Sequence, residues 1–523
     1  MRISIKKQID SRFAAYAGTG SPGYCMAIIQ GGKMLYSSAY GMASLEYDVR
    51  LTPASIFDIG STSKQFVGMC VTLLENRGAL NVDDEVRKHI GEFPRYKYPV
   101  TIRHLLHHVS GVRDYLTLMD LAGMPTENDY PIEDIIELIS RQRELNFKPG
   151  DEFLYSNSGY LLLGEIVKRV SGESLGCFAE KNIFMPLGMK STFFHDDFAR
   201  IVKNKATGYA ASDNGFRLDI SLFDVVGDGG VNTSVEDLLL WDRNFYDNTL
   251  GGGERTIKTL LTPGRLNDGS RLDYARGLFV TNYRGRRMIS HGGAWAGYRA
   301  EFIRFPGERL SIICLSNLST ANPTKVSKEI ADILLDEKPP SGPDSPKGRR
   351  RGAAEMDKVP PGFYLSRDGG VVEVISRDGS ESVDIGGVIY PLEPISKGVF
   401  SAGKQYEVRC KSIPPRTLSV KREGMPGGIY IHARPGEAAS VRARFSPGKY
   451  SCEELGAQYE ISHEAGDVVL ARKGAGKEPL RIVDERTLKT SRLVLQLPVR
   501  GKKSPGFFLS AGRVKGLWFH KEE

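Results

Sequence analysis

The chain has 523 residues, of which 40% are apolar and 26% are charged, and its net charge is +8. This length exceeds one ordinary hydrophobic core, and the composition is typical of a soluble protein with about two to four domains. No stretch approaches the roughly 20 consecutive apolar residues of a membrane span, which excludes a membrane protein.

Charge and cysteine placement narrow the function classes further. Lys347, Arg349, Arg350 and Arg351 lie in a Pro/Gly-rich stretch, which favours a basic linker over a nucleic-acid-binding face. The six cysteines are spread out and form neither a CxxC motif nor metal-ligand spacing, so we expect reduced thiols, no metal and no cofactor. The N-terminus has no apolar h-region or small-residue cleavage site, which predicts a cytoplasmic protein.

Helix and strand patterns are mixed in the first segment, which we place at residues 1–336. Strands are predicted at Tyr24–Ile29, Met34–Tyr40, Met288–His291, Tyr298–Phe305 and Leu310–Leu315, and terminal helices at about residues 4–17 and 325–335. The middle is mostly helical. Because the strands come from both ends of the segment, we expect an α/β (α+β) domain built on one antiparallel sheet with helices on its faces.

Residues 337–356 are rich in Pro, Gly, Ser and charge, which predicts a linker. Strand patterns dominate after it, and they contain an internal repeat: Pro361–Tyr364 matches Pro447–Tyr450, and Gly428–His432 matches Gly516–His520 at nearly the same offset. We therefore predict two small antiparallel β-barrels at residues 357–440 and 441–523, since closure removes exposed strand edges. One larger β-domain is the alternative.

The segment Ser61-Thr62-Ser63-Lys64 follows Gly60 and opens an amphipathic helix that ends at about Asn76. A serine and a lysine three residues apart share one helix face, and an amine beside a hydroxyl can take its proton and make it a nucleophile. The Ser-x-x-Lys pattern occurs three more times, at Ser4, Ser401 and Ser446, but without a helix start. A helix cap with a solvated lysine is the alternative interpretation.

Tyr155-Ser156-Asn157 follows the Pro149-Gly150 turn and precedes an apolar helix. A lysine ammonium near a phenol lowers its pKa, so we expect Tyr155 to act as a general base beside Lys64. Asn157 is expected to bind both Lys64 and the substrate amide. Tyr155 as an ordinary core or surface tyrosine is the alternative.

His291-Gly292-Gly293 ends a predicted strand with no side-chain bulk after the histidine. Bare backbone there lets a substrate lie along the strand edge at Gly293. The backbone N–H groups of Ala294 and Ser61 are then candidates for an oxyanion hole. A lone core histidine is the alternative.

In this order and at these separations, Ser61-x-x-Lys64, Tyr155-x-Asn157 and His291-x-Gly293 resemble the three motifs of the penicillin-recognising serine hydrolases. The runs at residues 104–111, 183–192 and 227–238 also match, and the resemblance covers about residues 10–335. It implies a serine β-lactamase-like catalytic domain with a helical subdomain and the active site between them.

The appended barrels, the total length and the domain order resemble the bacterial serine D-aminopeptidases of this group. This resemblance implies release of an N-terminal D-residue such as D-alanine from small peptides, amides or esters, with no metal or cofactor. It also implies a homodimer and β-lactams as inhibitors. No nucleic acid or membrane partner is expected.

An aminopeptidase must bind the α-ammonium of its substrate, which calls for an acid, whereas a carboxypeptidase binds a carboxylate, usually with a cation. In the D-aminopeptidases a loop of the last barrel supplies an aspartate. The comparable stretch is Leu480–Thr490, which points to Asp484, with a surface acid as the alternative. If this barrel restricts the cleft, removal of residues 441–523 should widen the substrate range.

The resulting hypothesis has Tyr155, aided by Lys64, take the Ser61 proton before Ser61 attacks the carbonyl carbon. His291 and Tyr155 then help to protonate the leaving amine. A β-lactamase, DD-carboxypeptidase or esterase of the same fold is the alternative, and a non-enzymatic binding protein is the second.

Overall fold

The structure is a computed structural model. Its first segment has one apolar core on each face of a central sheet, and its second half forms two β-barrels. The structure describes residues 1–18, 20–335, 359–366, 370–377, 380–403, 406–411, 416–422, 427–434, 436–498 and 506–523. The predicted linker at residues 337–356 lies outside this range.

The strands before the linker are β1 Tyr24–Gln30, β2 Lys33–Tyr40, β3 Met42–Ser44, β4 Val49–Arg50, β5 Phe57–Asp58, β6 Phe193–Phe194, β7 Tyr209–Ser212, β8 Gly215–Leu218, β9 Val231–Thr233, β10 Phe279–Tyr283, β11 Arg286–Trp295, β12 Tyr298–Phe305 and β13 Leu310–Ser316. Six of them form an antiparallel sheet in the order β10-β11-β12-β13-β1-β2. Strands from both ends of the segment are therefore neighbours, which confirms the predicted sheet.

The helices are α1 Ile3–Asp10, α2 Lys64–Asn76, α3 Val86–His89, α4 Ile102–Leu106, α5 Tyr115–Ala122, α6 Ile132–Ser140, α7 Asn157–Ser171, α8 Leu175–Ala179, α9 Met185–Leu187, α10 Val235–Asp247, α11 Gly253–Leu260, α12 Pro323–Leu334 and α13 Ala438–Arg444. Short 3₁₀ turns cover Ser11–Tyr16 and Gly60–Ser63, and a π turn covers Glu180–Phe184. In the part of the chain that the structure describes, no helix is both long and apolar enough to cross a membrane.

The sheet is buried on both faces, and alternate residues of β1 show this directly. Cys25 and Ala27 pack into the core that contains α2 and α7, whereas Met26 and Ile28 pack into a second core with α1 and α12. This division follows from the period of two in a strand, where successive side chains point to opposite faces. The helical layer holding α2 is thus pressed against the sheet.

The second half forms two closed antiparallel barrels of eight strands each, as the internal repeat predicts. The first consists of β14 Gly362–Ser366, β15 Val371–Arg377, β16 Ser380–Ile385, β17 Val388–Ser396, β18 Val399–Ala402, β19 Tyr406–Lys411, β20 Thr417–Arg422 and β21 Gly428–His432. The second consists of β22 Gly448–Cys452, β23 Ala457–Glu464, β24 Asp467–Arg472, β25 Gly476–Ile482, β26 Thr487–Lys489, β27 Leu493–Gln496, β28 Gly506–Ala511 and β29 Val514–Lys521.

The second barrel is joined to the catalytic domain through a shared apolar core and a buried ion pair. Arg113, whose side chain is 1% exposed, donates from Nη1 to Glu454 Oε2 at 2.6 Å. It also donates to the backbone carbonyls of Lys515 and Gly516. Removal of the barrel would take away the only carboxylate described in contact with Arg113, leaving Gln142 as its partner, and would expose the shared apolar core, so it is expected to be destabilising. Deletion of residues 441–523 therefore tests folding as well as substrate range, and the wider substrate range stays a prediction for a deletion variant that folds.

Candidate active site

Ser61 and Lys64 meet at the start of α2. The 3₁₀ turn Gly60–Ser63 runs directly into the helix, so the two side chains lie on one face. Lys64 Nζ lies 2.9 Å from Ser61 Oγ, and the lysine is fully buried. A solvated lysine beside a capping serine is excluded, because this amine has no access to bulk water.

Two further groups hold the Lys64 amine in place. Nζ donates to Asn157 Oδ1 at 3.0 Å and to the Asp228 backbone carbonyl at 2.5 Å. Burial lowers the pKa of Lys64 to about 8, although the Asp228 charge opposes the shift. The neutral amine is thus accessible near physiological pH, which suits a lysine that removes a proton from Ser61.

Tyr155 differs from the expectation in its ionisation. Its ring centroid lies 5.0 Å from Lys64 Nζ, as predicted, but burial raises the pKa of the phenol instead of lowering it. A hydrogen bond with Ser61 and the charge of Arg513 lower the pKa, but by less than burial raises it. Burial removes the hydration that stabilises a phenolate, and this loss is the larger effect. Burial thus favours the neutral phenol, and the predicted role of Tyr155 as a general base stays a prediction.

The Tyr155 hydroxyl is also poised to interact with something that enters the site. It is buried, and apart from the neighbouring Ser61 it has no hydrogen-bond partner among the described residues. The ring is held by His108, with the two ring centroids 4.2 Å apart. A fixed phenol with an unused O–H can donate a hydrogen bond or a proton to a bound substrate.

His291 lies within β11, which continues to Trp295 instead of ending at the histidine. Its Nδ1 lies 2.6 Å from the Gly292 carbonyl, which can only accept, so Nδ1 carries the proton and Nε2 accepts from the Tyr274 hydroxyl at 3.1 Å. Burial and the Lys64 charge lower the pKa of His291 to about 3. Burial thus favours the neutral imidazole, and the role of His291 in protonating the leaving amine stays a prediction.

Strand β11 approaches the Ser61 turn closely at two glycines. A Cβ on Gly293 would overlap the Ile59 carbonyl oxygen, and one on Gly60, whose φ is +48°, would lie 2.7 Å from the Ala294 nitrogen. The Thr62 hydroxyl also donates to the His291 carbonyl at 3.1 Å. This close approach is what brings the Ala294 backbone beside Ser61, as an oxyanion hole requires.

Gly293→Ala should displace β11 from the Ser61 turn. We expect a loss of about 1–3 kcal/mol of unfolding free energy from overpacking, and about 100-fold lower activity from the displaced strand. The matched control is Gly307→Ala, because a Cβ there meets no atom within 4 Å. Thermal denaturation and kcat/KM check both; equal effects at the two glycines would contradict the packing argument.

The acid predicted in the last barrel is not at this site. Asp484 lies in the turn between β25 and β26, where its Oδ1 accepts from the Arg486 N–H at 2.8 Å. The adjacent Glu485 packs against Gly436, ahead of α13. Asp484 does not line the cavity that contains Ser61, so the structure does not support it as the acid that binds the substrate ammonium.

The last barrel instead presents a cation, Arg513, from the turn between β28 and β29. Its Nη1 donates to Asp114 Oδ2 at 3.0 Å, and its guanidinium carbon lies 5.6 Å from the Tyr155 ring centroid. Asp114 Oδ2 also accepts the backbone N–H of Asn157 at 2.7 Å. One buried carboxylate thus connects the barrel to the asparagine that binds Lys64.

A cavity of about 1480 Å³ contains Ser61. The predicted residues that line it are Ser61, Tyr155, Asn157, His291, Gly293 and Ala294. Arg513 lines it from the barrel side, and the acids on its wall are Glu46, Asp58, Asp228 and Glu301. Among the described residues, no group of His, Cys, Asp or Glu side chains has the arrangement of a metal site.

Sequence reasoning missed Asp114, Asp228 and Arg513. Asp228 lies in the run at 227–238 that supports the resemblance. Its backbone carbonyl is what binds Lys64, and because every residue has such a carbonyl, the residue type does not reveal this contact. Asp114 caps α5 by accepting the Thr117 N–H at 3.2 Å, a signal that a capping search finds. Arg513 lies on a barrel turn, and only the docked structure shows where that turn points.

This geometry defines a serine hydrolase of the Ser-x-x-Lys class. A β-lactamase family model matches residues 9–337. The chain belongs to the β-lactamase family.

Similarity to known proteins extends beyond the residues that the family model matches. Over 487 residues the chain is 28% identical to a D-aminopeptidase of Gluconobacter oxydans, covering 90% of this chain and 87% of that protein. Over 411 residues it is 29% identical to penicillin-binding protein 4* of Bacillus subtilis, covering 74% and 89%. An octameric penicillin-binding protein homologue from Pyrococcus abyssi has the same fold, with a TM-score of 0.56 and 23% identity over 82% of this chain and 99% of that one.

Proposed function

We propose that the chain is a serine D-aminopeptidase, which releases an N-terminal D-residue such as D-alanine through an acyl-enzyme on Ser61. The observation that carries this proposal is the contact of a buried lysine of lowered pKa with Ser61. Similarity to a D-aminopeptidase across 90% of the chain, barrels included, supports the substrate class. The homodimer and the cytoplasmic location stay predictions of the resemblance and the sequence.

In the proposed mechanism, neutral Lys64 accepts the Ser61 proton, and Oγ attacks the carbonyl carbon of the D-residue. The N–H groups of Ser61 and Ala294 hold the oxyanion. As the C–N bond breaks, the Tyr155 phenol gives its proton to the leaving amine and regains one from the Lys64 ammonium. Water then attacks the acyl-enzyme, and its proton passes to Lys64 while Ser61 is released and reprotonated.

Asp58 replaces Asp484 in the proposal as the acid that binds the substrate ammonium. Its Oδ1 accepts the N–H of Gly60, the residue before Ser61, at 2.7 Å, and its side chain lines the cavity. Burial raises the pKa of Asp58 to about 6, which marks a carboxylate that a cation would stabilise.

A set of three substrates tests the proposal. D-Alanine p-nitroanilide should be cleaved, whereas its L-enantiomer and N-acetyl-D-alanine p-nitroanilide should be poor substrates. Asp58→Asn should raise KM for the free-amine substrate more than for the acetylated one. Preference for the acetylated substrate would reject the aminopeptidase.

The pH profile tests the role of Lys64. Only the neutral amine accepts a proton, and its fraction grows as pH rises through the pKa of about 8. We therefore expect kcat at saturating D-alanine p-nitroanilide to rise with pH and level off above about pH 8, whereas kcat/KM should also fall at higher pH as the substrate ammonium, with a pKa of about 8, loses its proton. A kcat profile that is flat from pH 6 to 9 would contradict Lys64 as base.

A DD-carboxypeptidase is the second candidate, and one observation favours it. Arg513 places a cation in the cavity, and a carboxypeptidase binds the terminal carboxylate of its substrate with a cation. Similarity to penicillin-binding protein 4* also supports this candidate. Rapid cleavage of N-acetyl-D-alanyl-D-alanine, with no cleavage of free-amine substrates, would select it.

A further inference from the structure

We propose that Arg513 forms a carboxylate-binding subsite on the leaving-group side of Ser61, contributed by the last barrel. The inference rests on the proposed function and gives its preferred substrate class as dipeptides that keep a free C-terminal carboxylate. The last barrel would then contribute a cation to the active site, where the sequence predicted an acid.

The catalytic domain fixes the turn that carries Arg513. The Arg513 carbonyl accepts from Asn146 Nδ2 at 2.9 Å, and the Lys515 N–H donates to Asn146 Oδ1 at 2.8 Å. Arg113 adds donors to the Lys515 and Gly516 carbonyls. A turn held at Arg513 and at the residues that follow it presents the Arg513 side chain at a defined place, as a binding subsite requires.

The Arg513 guanidinium keeps donors available for a ligand. Asp114 accepts a hydrogen bond from Nη1, and no other described residue accepts one from the guanidinium. The side chain is 37% exposed and lines the cavity. A guanidinium offers five N–H donors in a planar fork that matches a carboxylate, so most of this fork is free.

Asp114 only partly compensates the Arg513 charge. Its carboxylate also accepts the N–H groups of Asn157 and Thr117, at 2.7 and 3.2 Å, and the Thr117 hydroxyl at 3.3 Å, so four donors share its two oxygens. Lys64 lies close enough for Arg513 to lower its pKa, but its amine is neutral in the proposed mechanism, and Asp228 adds a second carboxylate to the cavity wall. The unused donors of the Arg513 fork, and not the net charge around it, therefore make this place suited to a carboxylate on the substrate.

The position of Tyr155 assigns the subsite to the leaving group. The phenol that gives its proton to the leaving amine is the ring beside the Arg513 guanidinium. In a dipeptide the carboxylate is only two bonds from that amine nitrogen. D-Alanyl-glycine can then place its carboxylate on Arg513, whereas an amide or a longer peptide has no charge there.

The test compares D-alanyl-glycine with D-alanyl-glycinamide, which differ only in the carboxylate. We expect the wild-type protein to prefer D-alanyl-glycine by about 10- to 100-fold in kcat/KM, the range of a charge-assisted hydrogen bond. Arg513→Met should abolish the preference mainly by slowing D-alanyl-glycine cleavage. Arg513→Lys, which keeps the charge without the fork, should retain part of it.

Arg492→Met is the matched control. Arg492 belongs to the same barrel and pairs with Asp120 of the catalytic domain at 3.7 Å, but it does not line the cavity. It should keep the wild-type preference. Equal losses on both substrates in Arg513→Met and Arg513→Lys would mean that Arg513 only positions Asp114, and the subsite would be rejected.

The test separates this proposal from the aminopeptidase itself. Cleavage of both free-amine dipeptides without a carboxylate preference overturns the subsite and leaves the aminopeptidase intact. Cleavage of N-acetyl-D-alanyl-D-alanine alone, with dependence on Arg513, supports the subsite and overturns the aminopeptidase.

Discussion

Ser61→Ala should reduce kcat on D-alanine p-nitroanilide by at least about 1000-fold, because no acyl-enzyme can form without Oγ. The fold should persist. Ser61 Oγ has the Lys64 amine as its hydrogen-bond partner, and that amine keeps Asn157 and Asp228 as acceptors when the hydroxyl is removed. The measurement is steady-state kinetics with a thermal melt of each protein.

The control for this change is Ser401→Ala, at another Ser-x-x-Lys of the chain. Ser401 lies on β18 of the first barrel, where its hydroxyl donates to the Glu393 carbonyl at 3.3 Å. Its loss should leave kcat within about twofold of wild type. Full activity in Ser61→Ala would remove the acyl-enzyme mechanism altogether.

Lys64→Met should lower kcat/KM by about 100- to 10,000-fold, the range expected when a general base is lost. Methionine matches the length of the buried stem but cannot accept the Ser61 proton. The rise of kcat with pH should disappear along with the activity. Rates measured from pH 6 to 9 check both effects.

Lys205→Met makes the same chemical change elsewhere in the cavity. Lys205 also lines it, and burial lowers the pKa of its amine too, but it has no contact with Ser61. Because Lys205 interacts with Asp58, which the proposal assigns to the substrate ammonium, its loss is expected to change KM, but the variant should retain most of kcat and its rise with pH. A comparable loss of kcat in both variants would mean that cavity charge, not a base at Ser61, sets the rate.

Local features of the site could be predicted from the sequence because they depend on short spacings. The contact between Ser61 and Lys64 follows from one helix start, and the observed helix ends at Asn76 as its pattern indicates. The barrels could be predicted because a repeat rich in strand residues needs closure to remove its edges. Strand β10 at Phe279–Tyr283 was missed.

Ionisation and domain docking could not be predicted in the same way. The pKa of Tyr155 depends on burial by residues distant in the chain, and burial outweighs the nearby cation that the sequence does reveal. The choice between Asp484 and Arg513 depends on which barrel turn faces the cavity. That orientation is set by contacts such as Arg113 with Glu454, which join positions 341 residues apart.

The most direct measurement is mass spectrometry of the protein quenched during turnover of a D-alanine ester, followed by peptide mapping. The mechanism predicts a D-alanyl group on Ser61 in the wild-type protein and none in Ser61→Ala. A D-alanyl group on any other residue, or rapid turnover of the ester by Ser61→Ala, would contradict it.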